Sequence, residues 1–146
     1  MGAINPFSGE FIFQEIDRFD APAFQAHLEE ILKQNPGPGK IYYFLDNSRV
    51  HHARLLHPFL ATHQDKLILK FLPPYSPEFN EEIEGVWREI KKKVVYNGYY
   101  ASFNDFKDAL ETTLKGYQFS SETLQAHCNP VKHLLIPLEA EVCQNN

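Results

Sequence analysis

Residues 41–93 read IYYFLDNSRVHHARLLHPFLATHQDKLILKFLPPYSPEFNEEIEGVWREIKKK, and this stretch decides the fold. It begins with a nearly continuous apolar run, residues 41–45, which is typical of a strand in the interior of a sheet. The strand ends at Asp46, and a later helix carries Glu84 three positions before Trp87. Carboxylates at the end of a strand and at the start of a helix suit a divalent-metal site for phosphodiester chemistry.

The segment before this stretch predicts a hairpin and a helix. Residues 2–16 contain a turn at 5–9 followed by alternating apolar residues, which indicates two antiparallel strands. Asp20 can cap a helix that begins with Ala21 and Pro22, since proline is well tolerated at the first helical position. The Asn-Pro-Gly-Pro-Gly run at 35–39 ends that helix.

The segment after Asp46 predicts further alternation of helices and strands. We expect a short helix over about residues 51–62 and a strand over 66–72. The Pro-rich loop at 73–77 excludes regular structure, and Asn80 can cap the helix that follows. That helix carries an apolar stripe formed by Ile83, Trp87, Ile90 and Val94.

One more long helix follows. Ser102 can cap it, and Gly116 lies near its end. Its apolar positions at helical spacing are Phe103, Phe106, Leu110, Leu114 and Tyr117. Ser120 or Ser121 can cap one more short turn. The whole order of elements indicates an α/β sandwich with a mixed sheet.

Size and charge limit the class of protein. The chain has 146 residues and a formal net charge of −5, so it forms one ordinary domain and is not a generally basic nucleic-acid binder. Any affinity for DNA must therefore come from a local patch. No apolar run is long enough to span a bilayer and no secretory pattern is present, so we expect a cytoplasmic protein without membrane contacts. Cys128 and Cys143 do not form a disulfide framework.

Asp46 and Glu84 each have a structural and a catalytic interpretation. An aspartate that closes a strand before Asn-Ser is commonly a turn former. Glu84 is spaced i, i+4 from Arg88, as in a solvated ion pair on a helix face. In the catalytic interpretation, Asp46 lies where α/β folds place ligands, and the helix N-terminus favours a negative Glu84.

The ordered pair LDNSRVHHAR and LPPYSPEFNEEIEGVWREIKKK resembles the catalytic core of insertion-sequence transposases of the Tc–mariner superfamily, the DDE endonucleases. These transposases share a strand-D-N-x-x-x-H arrangement and an L-P-P-Y-S-P-x-x-N-x-I-E-x-x-W-x-x-x-K arrangement. The resemblance implies a ribonuclease H-like mixed sheet flanked by helices. It also implies metal-dependent DNA cleavage and strand transfer at transposon ends, with two Mg²⁺ or Mn²⁺ ions held by Asp46 and Glu84.

The resemblance assigns roles to neighbouring residues as well. His51 matches the family's histidine, which implies a catalytic role beside Asp46; a purely structural role at a helix start is the alternative. Asn47 matches the D-N pair and helps to hold Asp46 or a water. DNA contacts are implied for Arg49, Arg54, Tyr75, Arg88, Lys91, Lys92 and Lys93. The alternatives are a solvated helix face for the lysines and packing against the loop prolines for Tyr75.

Two departures from the family pattern stand out. The run from Asn80 to Glu84 is one residue longer than the usual N-P-I-E and lacks its proline, so Glu82 is an alternative ligand, although Glu84 keeps the family spacing. The first catalytic aspartate has no convincing counterpart, since Asp20 is better explained as a helix cap and Asp17 is a weak substitute. We therefore expect residues 1–118 to be an N-terminally truncated catalytic domain without its first strand, and residues 119–146 to be a tail.

Three hypotheses follow for function. In the first, the chain is the catalytic-domain portion of a transposase that is incomplete or inactive alone and is completed by an upstream transposase fragment. In the second, it is a non-catalytic remnant or a domesticated domain that binds DNA or a transposase, for example as a homo-oligomeric inhibitor. In the third, it is a nuclease that uses Asp46, Glu84 and a substitute carboxylate.

Overall fold

The computed structural model describes residues 1–73, 81–96, 98–117 and 122–128. Strands and helices alternate along these residues, which confirms the predicted α/β class. The elements are β1 Gly2–Ile4, β2 Phe11–Phe13, α1 Ala21–Gln34, β3 Ile41–Leu45, a 3₁₀ turn Arg49–His52, α2 Leu56–His63, β4 Leu67–Phe71, α3 Glu81–Lys91, a π-helical turn Lys92–Tyr96, α4 Phe103–Gly116 and α5 Glu122–Gln125.

The chain divides into two compact units. The hairpin unit comprises residues 1–14 and 81–130, and the parallel-pair unit comprises residues 15–80 and 131–146. Three predicted features lie outside the described residues: the Pro-rich loop from residue 74 onward, the Asn80 cap, and the caps at Ser120 and Ser121. Within the described part of the chain, no helix is both long and apolar enough to cross a bilayer.

The hairpin unit begins with the predicted hairpin. β1 and β2 are antiparallel, with Gly2 opposite Phe13 and Ile4 opposite Phe11. The turn is held by Asn5, whose side-chain oxygen accepts the backbone N–H of Phe7 at 2.9 Å. Gly9 follows with a φ of 71°, a conformation that glycine adopts without the steric cost of a Cβ. The hairpin is therefore confirmed, with shorter strands than the pattern indicated.

The core of the hairpin unit is one apolar cluster. Its fully or nearly fully buried members are Phe11, Val86, Ile90, Tyr117 and Leu124. Trp87 lies edge-on to the Phe11 ring, with the ring centroids 5.6 Å apart. Leu124 belongs to α5, so part of the sequence after residue 118 packs in this core, and the predicted boundary between domain and tail stays a prediction.

The two longer helices of the hairpin unit, α3 and α4, lie where the sequence predicted them. The predicted apolar stripe runs along α3 into the π-helical turn. Ile90 of α3 and Val94 of the turn are buried, and Ile83 and Trp87 of α3 are half-buried. Ser102 caps α4 in a reciprocal arrangement with Asp105, as expected for its position. The stripe on α4 differs at Phe103, which is 76% exposed because it lies in the first turn, beyond the core.

The parallel-pair unit is built around β3 and β4. These strands are parallel, with Ile41 opposite Leu67 and Leu45 opposite Phe71. Helix α1 buries Phe24, Leu28 and Ile31, and the Asp20 side chain caps it by accepting the Ala23 N–H at 3.0 Å. In the described residues, β1 pairs only with β2 and β3 only with β4. The single mixed sheet of a ribonuclease H-like fold therefore stays a prediction.

The prediction of one continuous helix over residues 51–62 was wrong. The segment forms the 3₁₀ turn Arg49–His52 and then α2, separated by extended backbone at Ala53 with φ −64° and ψ 135°. The 3₁₀ turn that carries His51 is therefore a separate element from α2.

His27 of α1 is a buried histidine that predicts a pH dependence of stability. Its side chain is fully buried, and neither ring nitrogen has a hydrogen-bond partner among the described residues. Burial lowers its pKa from 6.5 to about 4, because the charged form is disfavoured away from water. The folded protein therefore binds fewer protons than the unfolded chain between these values, and stability falls as the pH drops from 6.5 toward 4.

We expect His27→Leu to flatten this part of the stability profile by about 2–3 kcal/mol. Urea unfolding at pH values across the range, compared with the parent chain, measures the effect. His57→Gln, at an exposed histidine of α2, serves as the control and leaves the profile unchanged. Equal acid sensitivity of the His27→Leu variant and the parent would contradict the assignment.

Candidate metal and DNA site

Asp46 lies at the carboxyl edge of the parallel strand pair. It follows β3 directly, and Leu72 follows β4. The two strand ends are joined, since the Leu72 N–H donates to the Leu45 carbonyl at 2.8 Å and the Asn47 side-chain amide donates to the Leu72 carbonyl at 2.7 Å. Asn47 thus fixes the backbone beside Asp46. This is the edge at which parallel sheets present ligands.

The Asp46 carboxylate forms a turn and is at the same time exposed to solvent. Its Oδ1 accepts the Ser48 N–H at 2.9 Å, which confirms the turn interpretation. The side chain is nevertheless 63% exposed. Because the contacts described for the carboxylate fall on Oδ1, the turn orients the group without enclosing it. The structural and the metal-binding interpretations of Asp46 are therefore compatible.

His51 faces Asp46 from the 3₁₀ turn. Its Nδ1 lies 3.1 Å from the Asp46 carbonyl oxygen and 3.2 Å from Oδ1 of the carboxylate. The His51 side chain is only 9% exposed. Phe24 packs on the ring at 4.4 Å and Phe19 lies perpendicular to it at 5.6 Å. The ring is therefore held in place by aromatic neighbours, which the sequence motif did not reveal because they come from a distant part of the chain.

Glu84 and the alternative ligand Glu82 differ in exposure. Both lie in the first turn of α3, but Glu84 is exposed whereas Glu82 is only 4% exposed. Glu82 faces the interior beside Cys128, where burial and then the nearby Glu82 charge raise the pKa of the thiol to about 11. No ion pair between Glu84 and Arg88 is present in the described part of the chain. The exposure favours Glu84 as the ligand.

The implied DNA contacts are mostly exposed cations. Arg49 and Arg54 are exposed in the parallel-pair unit, and in the hairpin unit the exposed basic residues are Arg88, Lys91, Lys92 and Lys93. Lys93 is partly engaged, since its Nζ lies 3.9 Å from a Glu89 oxygen and 4.6 Å above the Tyr117 ring. Tyr75 lies outside the described residues.

The donor set can be compared with the needs of a hard cation. Asp46 and Glu84 both offer exposed carboxylate oxygens, the ligands that Mg²⁺ and Mn²⁺ prefer. They belong to different compact units, and the described residues contain no group of three or more His, Cys, Asp or Glu side chains placed around a common point. Asp20 is occupied as the cap of α1, and Asp17 is exposed. Carboxylate is the donor type that suits a divalent cation, and each unit presents one exposed carboxylate of the predicted pair.

Comparison with known proteins gives one family and one relative. A family model described as DDE superfamily endonuclease matches residues 1–107. The uncharacterized protein y4pE/y4sA of Sinorhizobium fredii (strain NBRC 101917 / NGR234) is 30% identical over 104 residues, which cover 71% of this chain and 73% of the relative. No solved structure matches the chain significantly.

Proposed function

The chain belongs to the DDE superfamily of endonucleases, and on that premise we propose that it is the catalytic-domain portion of an insertion-sequence transposase of the Tc–mariner superfamily. Its substrate is DNA at transposon ends, and its reaction is metal-dependent cleavage and strand transfer. The observation that supports this most is Asp46, an exposed carboxylate at the carboxyl edge of a parallel strand pair, oriented by the Ser48 N–H and bordered by His51.

In this proposal the two exposed carboxylates are the metal ligands. Asp46 and Glu84 bind Mg²⁺ or Mn²⁺, and Glu82 does not, because it faces the interior of the hairpin unit. When held by these residues, a divalent cation would supply activation of the attacking oxygen and neutralisation of charge on the phosphate. The chain itself orients the ligand: the Ser48 N–H fixes Oδ1 of Asp46 and leaves the rest of the carboxylate exposed.

His51 acts as a positioning residue for Asp46. The loss of groups that orient metal ligands commonly lowers metal affinity or activity 10–100-fold, so we expect His51→Ala to lower cleavage by roughly that factor in the form of the chain that is extended by the codons before Met1. His51→Asn keeps a donor near the place of Nδ1 and should retain more activity than His51→Ala. The readout is the Mn²⁺ concentration for half-maximal cleavage, which rises if His51 positions Asp46. A change confined to thermal stability would contradict this role.

DNA is held by the exposed cations in the proposal. Arg88, Lys91 and Lys92 follow Glu84 on the same helix and turn, and Arg49 and Arg54 lie near Asp46 in the chain. Phosphate contacts position DNA without reading its sequence. The affinity should therefore fall steeply as salt concentration rises.

We further propose that a third carboxylate is needed and that residues 1–118 do not supply it. Asp20 serves α1 as its cap, and Asp17 has no described contact that orients it toward Asp46. The experiment compares Mn²⁺-dependent nicking of supercoiled plasmid by the purified chain with nicking by the chain extended by the codons that precede Met1 in the gene. The extended form is expected to nick DNA, and the chain alone to stay at background.

Each other outcome of that experiment selects a different function. Nicking by the chain alone that Asp46→Asn abolishes would establish a nuclease with a substitute carboxylate. DNA binding without nicking by either form would favour a non-catalytic domain. Nicking that survives Asp46→Asn would contradict the proposed site altogether.

A further inference from the structure

Three aromatic side chains of the hairpin unit are exposed close together in the chain. Tyr96 is 71%, Tyr99 is 96% and Phe103 is 76% exposed. An aromatic side chain stabilises a fold mainly when it is buried. Because these three rings are exposed, they contribute little to the stability of the hairpin unit. No part of the proposed carboxylate chemistry uses them.

Described contacts join the start of α4, which carries Phe103, to the turn that carries Lys92 and Tyr96. The Tyr100 hydroxyl donates to the Val94 carbonyl of the π-helical turn at 2.8 Å. The Tyr100 ring lies perpendicular to Phe106 with centroids 5.5 Å apart, and Phe106 lies 6.1 Å from Phe103. The start of α4 is therefore fixed against the turn that carries Lys92 and Tyr96. Exposed rings and exposed lysines thus share one region of the hairpin unit.

Exposed lysines of the same unit lie just before the rings in the chain. Lys91 and Lys92 are exposed and precede Tyr96 by a few residues in the chain, whereas the whole chain carries a net charge of −5. The nearby Asp105 carboxylate is engaged by the backbone N–H and hydroxyl of Ser102 at 2.9 and 2.8 Å. The carboxylate therefore serves the helix cap, and the lysines give the region its positive character.

We propose that this aromatic–lysine surface, formed by Lys91, Lys92, Tyr96, Tyr99 and Phe103, binds single-stranded DNA. Aromatic rings stack on the faces of unpaired bases while lysines contact the phosphates, a combination that is tolerant of sequence. A duplex offers the phosphates but hides the base faces. A second copy of the chain is a poorer occupant, because a symmetric contact would bring the two lysine runs together.

The inference rests on DNA as the partner in the proposed function, but it does not depend on Asp46 or Glu84. Binding is measured by fluorescence anisotropy with a short dye-labelled oligothymidine and, in parallel, with a hairpin duplex of the same phosphate count. EDTA is present, so the absence of metal-dependent nicking would leave the result unaffected. A failure of the proposed chemistry is thereby distinguished from a failure of this surface.

We expect the double variant Tyr99→Ala, Phe103→Ala to bind the oligothymidine at least about tenfold more weakly than the parent, with duplex affinity changed less than about twofold. Tyr99→Phe keeps a stacking ring and should bind like the parent. Phe7→Ala removes an aromatic side chain of the same unit that is 59% exposed, and it should also bind like the parent. Circular dichroism and the melting temperature show that each variant is folded.

Several results would overturn the inference. One is unchanged oligothymidine affinity in the double variant, and another is the absence of any oligothymidine binding by the parent. Equal losses for oligothymidine and duplex would also overturn it, because the rings would then act without unpaired bases. If the parent self-associates, and the double variant is monomeric with unchanged DNA affinity, the surface binds a second copy of the chain instead.

Discussion

Asp46→Asn is expected to lower Mn²⁺-dependent nicking by about a thousandfold in the nicking-competent extended form. The asparagine oxygen can still accept the Ser48 N–H, so the turn after β3 is retained while the negative charge is lost. Removing one preorganised electrostatic group from an active site commonly costs 10²–10³ in rate, and a thousandfold loss corresponds to about 4 kcal/mol of transition-state stabilisation. The rate of conversion of supercoiled to open-circular plasmid measures the loss.

The controls for this prediction come from the same two units as Asp46 and Glu84. Glu84→Gln should cause a similar loss, whereas Glu82→Gln should affect stability more than cleavage, because Glu82 is buried. Asp65→Asn changes an exposed carboxylate of the parallel-pair unit and should nick like the parent. If Glu82→Gln abolished nicking and Glu84→Gln did not, the assignment of the helix ligand would be reversed.

Phe11→Ala is expected to destabilise the fold by about 3–5 kcal/mol. The Phe11 side chain is completely buried at the centre of the cluster with Val86 and Leu124, and Trp87 lies edge-on to its ring. Its truncation removes apolar contacts and leaves a cavity that the short hairpin cannot close. Since domains of ordinary size are stable by about 5–15 kcal/mol, this is a large fraction of the total.

Urea unfolding followed by the fluorescence of Trp87, the one tryptophan of the chain, reports directly on this core. Phe7→Ala is the matched control, since Phe7 is exposed in the turn of the same hairpin and should change stability by less than about 0.5 kcal/mol. A loss below about 1 kcal/mol in Phe11→Ala would show that the hairpin does not organise the core.

The elements that depend on local chemistry could be predicted from the sequence. The Asp20 and Ser102 caps have the expected hydrogen bonds, because a cap uses backbone donors only a few residues away. The helical period also predicted that Glu82 and Glu84 lie on different faces of α3. The two side chains differ in exposure accordingly. Strands β3 and β4 appear over the residues where the sequence indicated strands, but the interior position predicted for β3 holds only for Leu45, since Tyr42 is 47% exposed.

Features that depend on distant contacts could not be predicted. The packing of Phe19 and Phe24 on His51 joins segments far apart in the chain, and no local pattern encodes it. The break in the helix predicted over residues 51–62 was missed because neither Gly nor Pro marks it at Ala53, and the apolar residues that indicated the helix all follow that position. Helical spacing placed Phe103 on the apolar face of α4, but it does not show where along the helix the core ends. The exposure of Phe103 was therefore not predicted.

Iron-directed backbone cleavage of the nicking-competent extended form tests most directly whether Asp46 and Glu84 hold the catalytic cation. Fe²⁺ bound in place of Mg²⁺, with ascorbate and peroxide, generates radicals that cut the backbone beside its ligands. The proposal predicts cuts near residues 46 and 84. Mn²⁺ should suppress these cuts by competition, and Asp46→Asn or Glu84→Gln alone should abolish them. Uniform cutting along the chain, or cuts at these positions that persist in both variants, would contradict it.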